Sequence, residues 1–258
     1  MIPHHHMKQA FLFLLLFPAS LLAQHAPPAW RVGLGLGYSH AALRDEAVTY
    51  LTRRGSTGAY QLRLERETQR TCQQVTLGYG AYTRLASDYG NATEVLTAHL
   101  TYTYLHRVGL WRGWTGWAGG SLSSQLYGLT YLNGFGNAQN GSLFSGIGLS
   151  AMATRSVGRS RLGVQGGLGL VQYAIQPNYS IGYLGVDTAG DWLRSGQVRA
   201  FPQVTLATLR VSYDAWLSPR TVLRFDYHWQ LLRTNSPRHT GLLTNQLLAT
   251  LLLRIGRL

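Results

Sequence analysis

Polar and apolar residues alternate with a period of two along most of this chain. The stretch Thr221–Arg233 shows the pattern clearly, because its odd positions are apolar and its even positions are polar or charged. The odd positions are Leu223, Phe225, Tyr227, Trp229 and Leu231, and the even positions are Arg224, Asp226, His228 and Gln230. An extended strand points successive side chains to opposite faces, so this stretch is predicted to be a strand with one apolar and one ionic face.

Ten segments share this alternation, and each is predicted to form a strand. They are Trp30–His40, Ala59–Thr68, Gln73–Leu85, Glu94–His106, Trp114–Tyr127, Leu143–Arg155, Arg161–Ala174, Gln203–Leu217, Thr221–Arg233 and Leu243–Leu258. The links between them alternate in length. Short links lie around residues 69–70, 109–113, 156–158 and 218–220, longer ones at 41–58, 86–93, 128–142 and 175–202, and an intermediate one at 234–242. This rhythm predicts an even number of strands, with both termini at the end of the short links.

We predict an all-β fold, an antiparallel up-and-down transmembrane β-barrel of ten strands, for which twelve or eight strands are the alternatives. The twelve-strand alternative adds a hairpin, Tyr179–Val186 with Gln197–Phe201, inside the longest link. In the opposite interpretation, an exported soluble β-sandwich or lipocalin-like barrel, the apolar faces turn inward. The second face is too rich in Gly, Ser, Thr and charge for an ordinary solvent surface. We therefore expect the apolar faces to meet lipid and the polar faces to line the interior.

The outward positions are consistent with this orientation. A charge facing lipid at the bilayer midplane costs about 2–4 kcal/mol, and much less near the interfaces. The predicted outward charges Arg66, Arg155 and Arg233 each lie within a few residues of a strand end. Outward aromatic residues are expected to form interfacial girdles. They are Trp30, Tyr60, Tyr102, Tyr104, Trp114 and Trp229.

The N-terminus has the pattern of a secretory signal. Lys8 precedes an apolar run from Ala10 to Phe17, and Ala23 is a small residue suited to cleavage. The run is too short to cross a bilayer as a helix. Residues 1–6, with three histidines, are interpreted as an upstream start or added residues. We expect residues 1–23 to be a signal peptide and residues 24–258 to form a single barrel domain.

Basic residues outnumber acidic ones by 23 to 10. Nucleic-acid-binding proteins usually cluster such residues in one patch, whereas these arginines are scattered, so we expect no nucleic-acid partner. Contact with anionic lipid headgroups is the preferred explanation. Cys72 is the single cysteine, which excludes an internal disulfide, and no Cys/His metal spacing exists. We expect no metal and no cofactor.

The polar faces of the strands carry many charges that are predicted to meet in the lumen. They are Arg31, Arg63, Glu65, Glu67, Arg84, His99, Arg161, Arg210, Asp214, Arg224, Asp226 and His228. Isolated charges in a low-dielectric interior are very unfavourable, so these groups need partners. They are interpreted as a paired polar plug that fills the barrel and fixes its register.

The signal peptide, the alternating strands and the short-turn, long-loop rhythm resemble the small outer-membrane β-barrel (porin-like) proteins of Gram-negative bacteria. The resemblance covers residues 30–258 and rests on pattern, without a residue motif. It implies a location in the outer membrane with periplasmic termini. It also implies contact with outer-membrane lipid and lipopolysaccharide, and with envelope protein partners.

Three functions remain open from the sequence. The first is an envelope structural or interaction role through the outer loops, with a largely packed lumen. The second is a narrow passive channel for small, anionic solutes. The third is a hydrolase, because Asp226-x-His228 resembles the Asp-x-His element of the ten-stranded omptin proteases. That resemblance implies that Asp226 orients the imidazole and His228 acts as the base, but only Asp88 offers a counterpart to the aspartate pair of that family. An acyl hydrolase would need a Ser/His pair, for which His99-Leu100-Thr101 is the nearest match.

Overall fold

Eleven β-strands make up nearly all of the part of the chain that the computed structural model describes, which is residues 30–45, 49–87, 92–133, 136–176, 193–235 and 239–255. The strands are β1 (Trp30–Asp45), β2 (Thr49–Glu67), β3 (Thr71–Ala86), β4 (Ala92–Trp111), β5 (Trp114–Asn133), β6 (Gly136–Val157), β7 (Ser160–Ile175), β8 (Gln197–Ala200), β9 (Val204–Trp216), β10 (Thr221–Thr234) and β11 (Thr240–Ile255). The ten long strands correspond to the ten predicted segments. The predicted signal segment lies outside the described residues.

The ten long strands form a closed antiparallel barrel. Each pairs with the long strand before it and the long strand after it in the chain, and β1 also pairs with β11. Closure removes the edges that an open sheet would present to other chains. The prediction of a ten-stranded up-and-down barrel is confirmed. Among the described residues, no helix is long and apolar enough to cross a membrane.

The strands are strongly tilted relative to the barrel axis. The tilt can be measured by starting at Trp30 and moving each time to the paired residue on the next long strand. One circuit of the barrel ends on β1 at Ala42, 12 residues further along the strand than Trp30. For ten strands this displacement corresponds to a tilt of about 40°. A residue and its pairing partner on the neighbouring strand therefore differ in height along the barrel axis by about one residue.

Apolar side chains cover the outer wall. Leu36 and Leu251 are 63% and 45% exposed, whereas their inward neighbours Arg63 and Leu252 are buried. The exposed apolar residues continue around the barrel on all ten long strands, with Leu62, Leu77, Leu100, Leu126, Ile147, Val164, Leu209 and Phe225 among them. A continuous apolar surface of this kind is typical of a barrel wall that faces lipid.

Aromatic rings mark two heights of this apolar belt. Along the tilted strands, Tyr60 and Trp229 lie level with Tyr38 and Tyr79 near the upper edge, and the rings of Tyr60 and Tyr79 are 6.4 Å apart. Near the lower edge lie Trp30, Trp111 and Trp114. The Arg66 guanidinium carbon is 5.5 Å from the centroid of the Trp30 ring. Tyr102 and Tyr104 lie between the two heights, nearer to the middle of the belt.

The two ends of the barrel differ in their connections. At the turn end, the strands are joined through residues 68–70, 112–113, 158–159 and 217–220, and Trp30 and Ile255 lie at this end. We call the opposite end of the barrel the loop end. There, the prediction of long links at 41–58 and 128–142 is wrong, because β1, β2, β5 and β6 continue through most of these residues as paired strands. These extensions lie beyond the apolar belt, where a paired strand no longer needs lipid-facing apolar positions.

The twelve-strand alternative is not supported by the described residues. Gln197–Ala200 does form a strand, β8, but it pairs with Val171–Ala174 of β7, on the same edge that β9 occupies lower down. β8 and β9 therefore form one barrel strand interrupted by residues 201–203. The amide of Phe201 bonds to the Leu170 carbonyl at 2.9 Å, which holds this interruption against β7. The predicted partner segment Tyr179–Val186 lies outside the described residues.

Candidate functional site

The interior of the barrel contains three layers, stacked from the turn end to the loop end. The charged layer consists of Arg31, Arg63, Glu65, Glu67, Arg161, Arg210, Asp214, Arg224 and Asp226. The middle layer consists of His99, Gln125, His228, Gln230 and Gln246. The apolar layer consists of Ala41, Leu43, Tyr82, Leu85, Val95, Tyr127, Leu129, Phe144, Ala174, Val204, Leu206, Leu232 and Leu242.

Glu65 is the centre of the charged layer. Its carboxylate accepts close contacts from Arg63 and Arg224, and Arg31 Nε lies 3.7 Å from it. Arg224 also holds Asp214 through two parallel bonds, Nε to Oδ1 at 2.5 Å and Nη2 to Oδ2 at 2.8 Å. The geometry is the bidentate fork that suits a guanidinium and a carboxylate. All of these side chains except Arg31 are at most 5% exposed, so the pairing compensates charges that water does not reach.

A second ion-pair network lies nearer the turn end. Arg161 donates to both oxygens of Glu67, at 2.6 and 2.9 Å, and Arg31 Nη2 donates to the same carboxylate at 3.0 Å. Arg161 is on β7 and Glu67 is on β2, so this contact crosses the lumen. Side chains from opposite walls therefore meet across the lumen at this height.

Asp226 is the least well satisfied member of the charged layer. Arg63 Nη1 is 3.8 Å from its carboxylate, but neither carboxylate oxygen has a hydrogen bond within the described protein. Arg210 Nε, on the adjacent strand, likewise has no such bond. Arg63 and Arg210 border a cavity of about 30 Å³. That volume is large enough for at least one water molecule.

The middle layer is built from amides and imidazoles. Gln230 Nε2 donates to Gln125 Oε1 at 2.6 Å and to the Tyr127 hydroxyl at 3.0 Å, which joins β10 to β5 across the lumen. The rings of His99 and His228 are 6.2 Å apart, and His228 Nδ1 lies 3.4 Å from Gln246 Oε1. These contacts connect opposite walls through amide and imidazole groups.

Glycine makes room for the imidazole of His99. A Cβ atom on Gly78, its partner on β3, would lie 2.0 Å from His99 Cε1. Any side chain at Gly78 would therefore force the ring out of the layer. This is the clearest case in which an inward glycine lets a bulky neighbour fill a narrow lumen.

The apolar layer lies at the upper aromatic edge of the belt and beyond it. Tyr127 and Phe144 pack edge to face with their ring centroids 6.1 Å apart. Leu43, Leu85 and Val204 are no more than 1% exposed. The sequence analysis did not identify this layer, because several of its members lie in segments that were predicted to be loops.

The structure brings eleven of the twelve predicted lumen residues into the charged and middle layers. The exception is Arg84, for which the prediction of an inward side chain is wrong: Arg84 is exposed on the outer face. The pairing of β3 with β4 shifts between Tyr82 and Leu85, where an irregularity changes the phase of alternation. Leu85 therefore takes the inward position that a regular strand would have given to Arg84.

The Asp226 and His228 pair does not have the surroundings of a catalytic dyad at a barrel rim. Both side chains are buried, at 2% and 7% exposure, and lie at the sixth and eighth positions of the 14-residue strand β10. The Gln230 contacts and the apolar layer separate them from the loop end. The described residues contain no group of three or more His, Cys, Asp or Glu side chains placed to bind a metal ion.

No family model and no curated protein sequence matches this chain. Among solved structures, the outer membrane protease OmpT from Escherichia coli has a TM-score of 0.58 at 7% identity, covering 90% of this chain and 99% of that one. The fold is that of an outer-membrane β-barrel. The translocator domain of the autotransporter NalP from Neisseria meningitidis has a TM-score of 0.48 at 11% identity, over 97% of this chain and 96% of that one. At these identities the likeness concerns the fold alone.

Proposed function

We propose that this protein is an integral outer-membrane β-barrel with a closed lumen, which has a structural or interaction role in the envelope through its loop end. The observation that carries the proposal is the filling of the interior by three successive layers. Side chains from opposite walls meet in each of them, as in the Arg161–Glu67 and Gln230–Gln125 contacts. A conducting pore would need a gap through all three.

The outer wall and the fold support the proposed location. An apolar belt between two levels of aromatic rings suits a lipid bilayer. In the proposed orientation the turn end and both termini are periplasmic and the loop end faces outward. Outer-membrane lipid, lipopolysaccharide and envelope proteins are then the expected partners of the loop end.

Fractionation of cells and ion conductance together test this proposal. The protein should separate with the outer membrane and migrate on gels in a heat-modifiable manner. After reconstitution into planar bilayers, with insertion verified by the same gel shift, it should give no stable conductance steps. Stable ohmic steps with a preference for anions would replace the proposal with the narrow channel.

A further inference from the structure

A serine and a histidine form a hydrogen-bonded pair on the outer wall at the loop end. His40 Nδ1 lies 2.9 Å from Ser56 Oγ, and the two residues are directly paired across β1 and β2. Both side chains point outward, because Ser56 is exposed and the two residues that flank His40 on β1 are buried in the lumen. A serine hydroxyl within hydrogen-bond reach of an imidazole is the basic unit of nucleophilic catalysis by serine.

Asn245 extends this pair to a third strand. It is paired with His40 across β1 and β11, and we call Ser56, His40 and Asn245 the polar row. Asn245 Oδ1 accepts a hydrogen bond from the Tyr227 hydroxyl at 2.7 Å, which orients the amide. A carbonyl oxygen has two lone pairs, and directly opposed residues have Cβ atoms about 5 Å apart. Oδ1 can therefore also accept the Nε2–H of His40, and this tautomer leaves Nδ1 as the acceptor for the serine proton.

The polar row lies at the depth of lipid ester bonds. On the outward face of β1, His40 follows Tyr38 of the upper aromatic level by two residues. With a strand tilt of about 40°, the three Cα atoms of the polar row lie roughly 2–8 Å beyond the level of Tyr38. The interfacial region of one leaflet, between the hydrocarbon core and water, is about 5–8 Å thick. Esters that join acyl chains to a headgroup lie in this region, so such an ester reaches the polar row without leaving the bilayer.

An apolar groove of about 650 Å³ lies directly below the polar row. Its upper border includes Tyr38 and Leu247, which are paired with each other across β1 and β11. They lie two residues below His40 and Asn245 on the same face. Outward apolar and aromatic side chains of β1, β7, β9, β10 and β11 form most of the remaining border. The groove suits an acyl chain, whose ester end would then lie at the polar row.

The stretch of β2 that contains Ser56 is irregular. The pairing of β2 with β3 shifts between Arg54 and Ala59, and within this stretch the Thr57 hydroxyl donates to the Ala81 carbonyl of β3 at 2.5 Å. A bulge leaves part of the main chain outside the regular ladder. Arg54 is exposed two residues from Ser56 on the same strand. Main-chain amides and a nearby positive charge are the groups that stabilise the negative oxygen formed when a hydroxyl attacks an ester.

We infer that the polar row is a serine hydrolase site that cleaves acyl esters of membrane lipids. His40 removes the proton of the Ser56 hydroxyl, whose oxygen attacks the ester carbonyl carbon. The bond from that carbon to the alcohol oxygen of the headgroup breaks, His40 protonates this oxygen, and the acyl group remains on Ser56. Water then attacks the acyl-serine, and His40 transfers the proton of the water to the serine oxygen. The products are a fatty acid and a lyso-lipid, and Asn245 is a positioning residue that holds the imidazole.

Release of fatty acid by the full barrel tests this activity. One sample contains vesicles of diacyl phosphatidylethanolamine, and the other contains lipid A in vesicles of diether phosphatidylcholine, which has no acyl ester. Fatty acid should be released in at least one sample, and the lipid that is cleaved identifies the headgroup. A long-chain alkyl fluorophosphonate should label Ser56 of the folded barrel, which mass spectrometry of the peptides detects.

Variants separate the roles of the three residues. Ser56→Ala and His40→Gln should each lower the rate of release by at least about 1000-fold, because each removes a group that takes part in the reaction. Asn245→Leu should lower kcat by about tenfold or more and leave KM unchanged, since the imidazole loses its orientation but the groove is intact. Asn245→Asp, which keeps an acceptor oxygen, should restore much of the loss.

The matched control is Ser124→Ala/His106→Gln, which removes an outward serine of β5 and an exposed histidine of β4 and should leave release unchanged. Heat-modifiable migration verifies that each variant is folded. Equal release by the wild type and Ser56→Ala, or no release from either lipid by the folded wild type, would overturn the inference. The activity goes beyond the proposed envelope role. If the barrel conducted ions while Ser56-dependent release persisted, the proposed function would fail and this site would stand.

Discussion

The barrel has two regions with opposite arrangements of apolar and charged residues, although the same strands build both. Within the apolar belt, Leu36 faces outward and Arg63 is buried in the lumen. At the loop end, Arg44 is exposed outward and Leu43 is buried inside. The pairing between β1 and β2 is regular from Trp30 to Arg44, so no change in register separates the two regions. The surroundings explain the inversion: lipid favours an apolar outer face, and water favours a polar one.

The difference shows that two kinds of core can close one lumen. In the belt, the interior is held together by paired charges, which are sensitive to the loss of any partner. At the loop end it is a conventional apolar core, whose stability depends on area buried and on close packing. The middle layer of amides and imidazoles lies between them. Each region should therefore respond to substitution in its own way.

The largest effect is expected from Glu65→Gln in the charged layer. The carboxylate compensates Arg63 and Arg224, and its loss leaves buried guanidiniums without their partner. We expect the free energy of unfolding to fall by about 3–5 kcal/mol. This free energy is measured by denaturant titration of the barrel in lipid vesicles, with tryptophan fluorescence as the signal. Glu94→Gln, which removes an exposed acid on β4, should change the free energy of unfolding by less than about 0.5 kcal/mol. Similar losses from both variants would contradict the pairing.

An intermediate effect is expected from Leu43→Ala in the apolar layer. The substitution loses the transfer free energy of the side chain and leaves a cavity, together about 3 kcal/mol. Leu36→Ala on the lipid-facing wall should lose only about 1 kcal/mol, because lipid fills the space that the side chain leaves. The same vesicle titration compares the two variants. If Leu36→Ala were the more harmful, the loop end would not contain a packed core.

The smallest effect is expected in the middle layer. Gln230→Leu removes two hydrogen bonds across the lumen but leaves Tyr127 bonded to Gln125, so we expect a loss of about 1 kcal/mol. In the double variant Gln125→Leu/Gln230→Leu the loss should be smaller than the sum of the two single losses, since both partners are gone. Strict additivity in this double-mutant cycle would show that the two amides do not interact.

Alternation predicted the belt well and the loop end poorly. In the belt, lipid outside and a narrow polar lumen inside impose a strict period of two, so Glu65, Arg224 and His228 could be assigned to the interior from sequence. Beyond the belt this constraint ends. Segments around Leu43 and Leu129 were therefore predicted to be loops, although they are paired strands with buried side chains.

The periodic pattern could not predict two features of the structure. The irregularity between Tyr82 and Leu85 changes which side chains point inward, and nothing in the local sequence marks the shift. The partners of each charge also depend on contacts across the lumen, such as Arg161 with Glu67, which are 94 residues apart in the chain. Alternation assigns a side chain to a face, but the tilt and the closure of the barrel decide what it meets there.

The account depends on a filled lumen, and Cys72 tests this most directly. It is the single cysteine of the chain, faces inward on β3, packs with Leu105 and Trp117, and is 3% exposed. The measurement is the rate at which a small, charged methanethiosulfonate modifies Cys72 in the folded barrel, relative to the heat-unfolded chain. We predict a rate at least about 100-fold lower in the folded barrel, because reaction requires local opening. Modification of the folded barrel at a rate close to that of the unfolded chain would contradict a filled lumen.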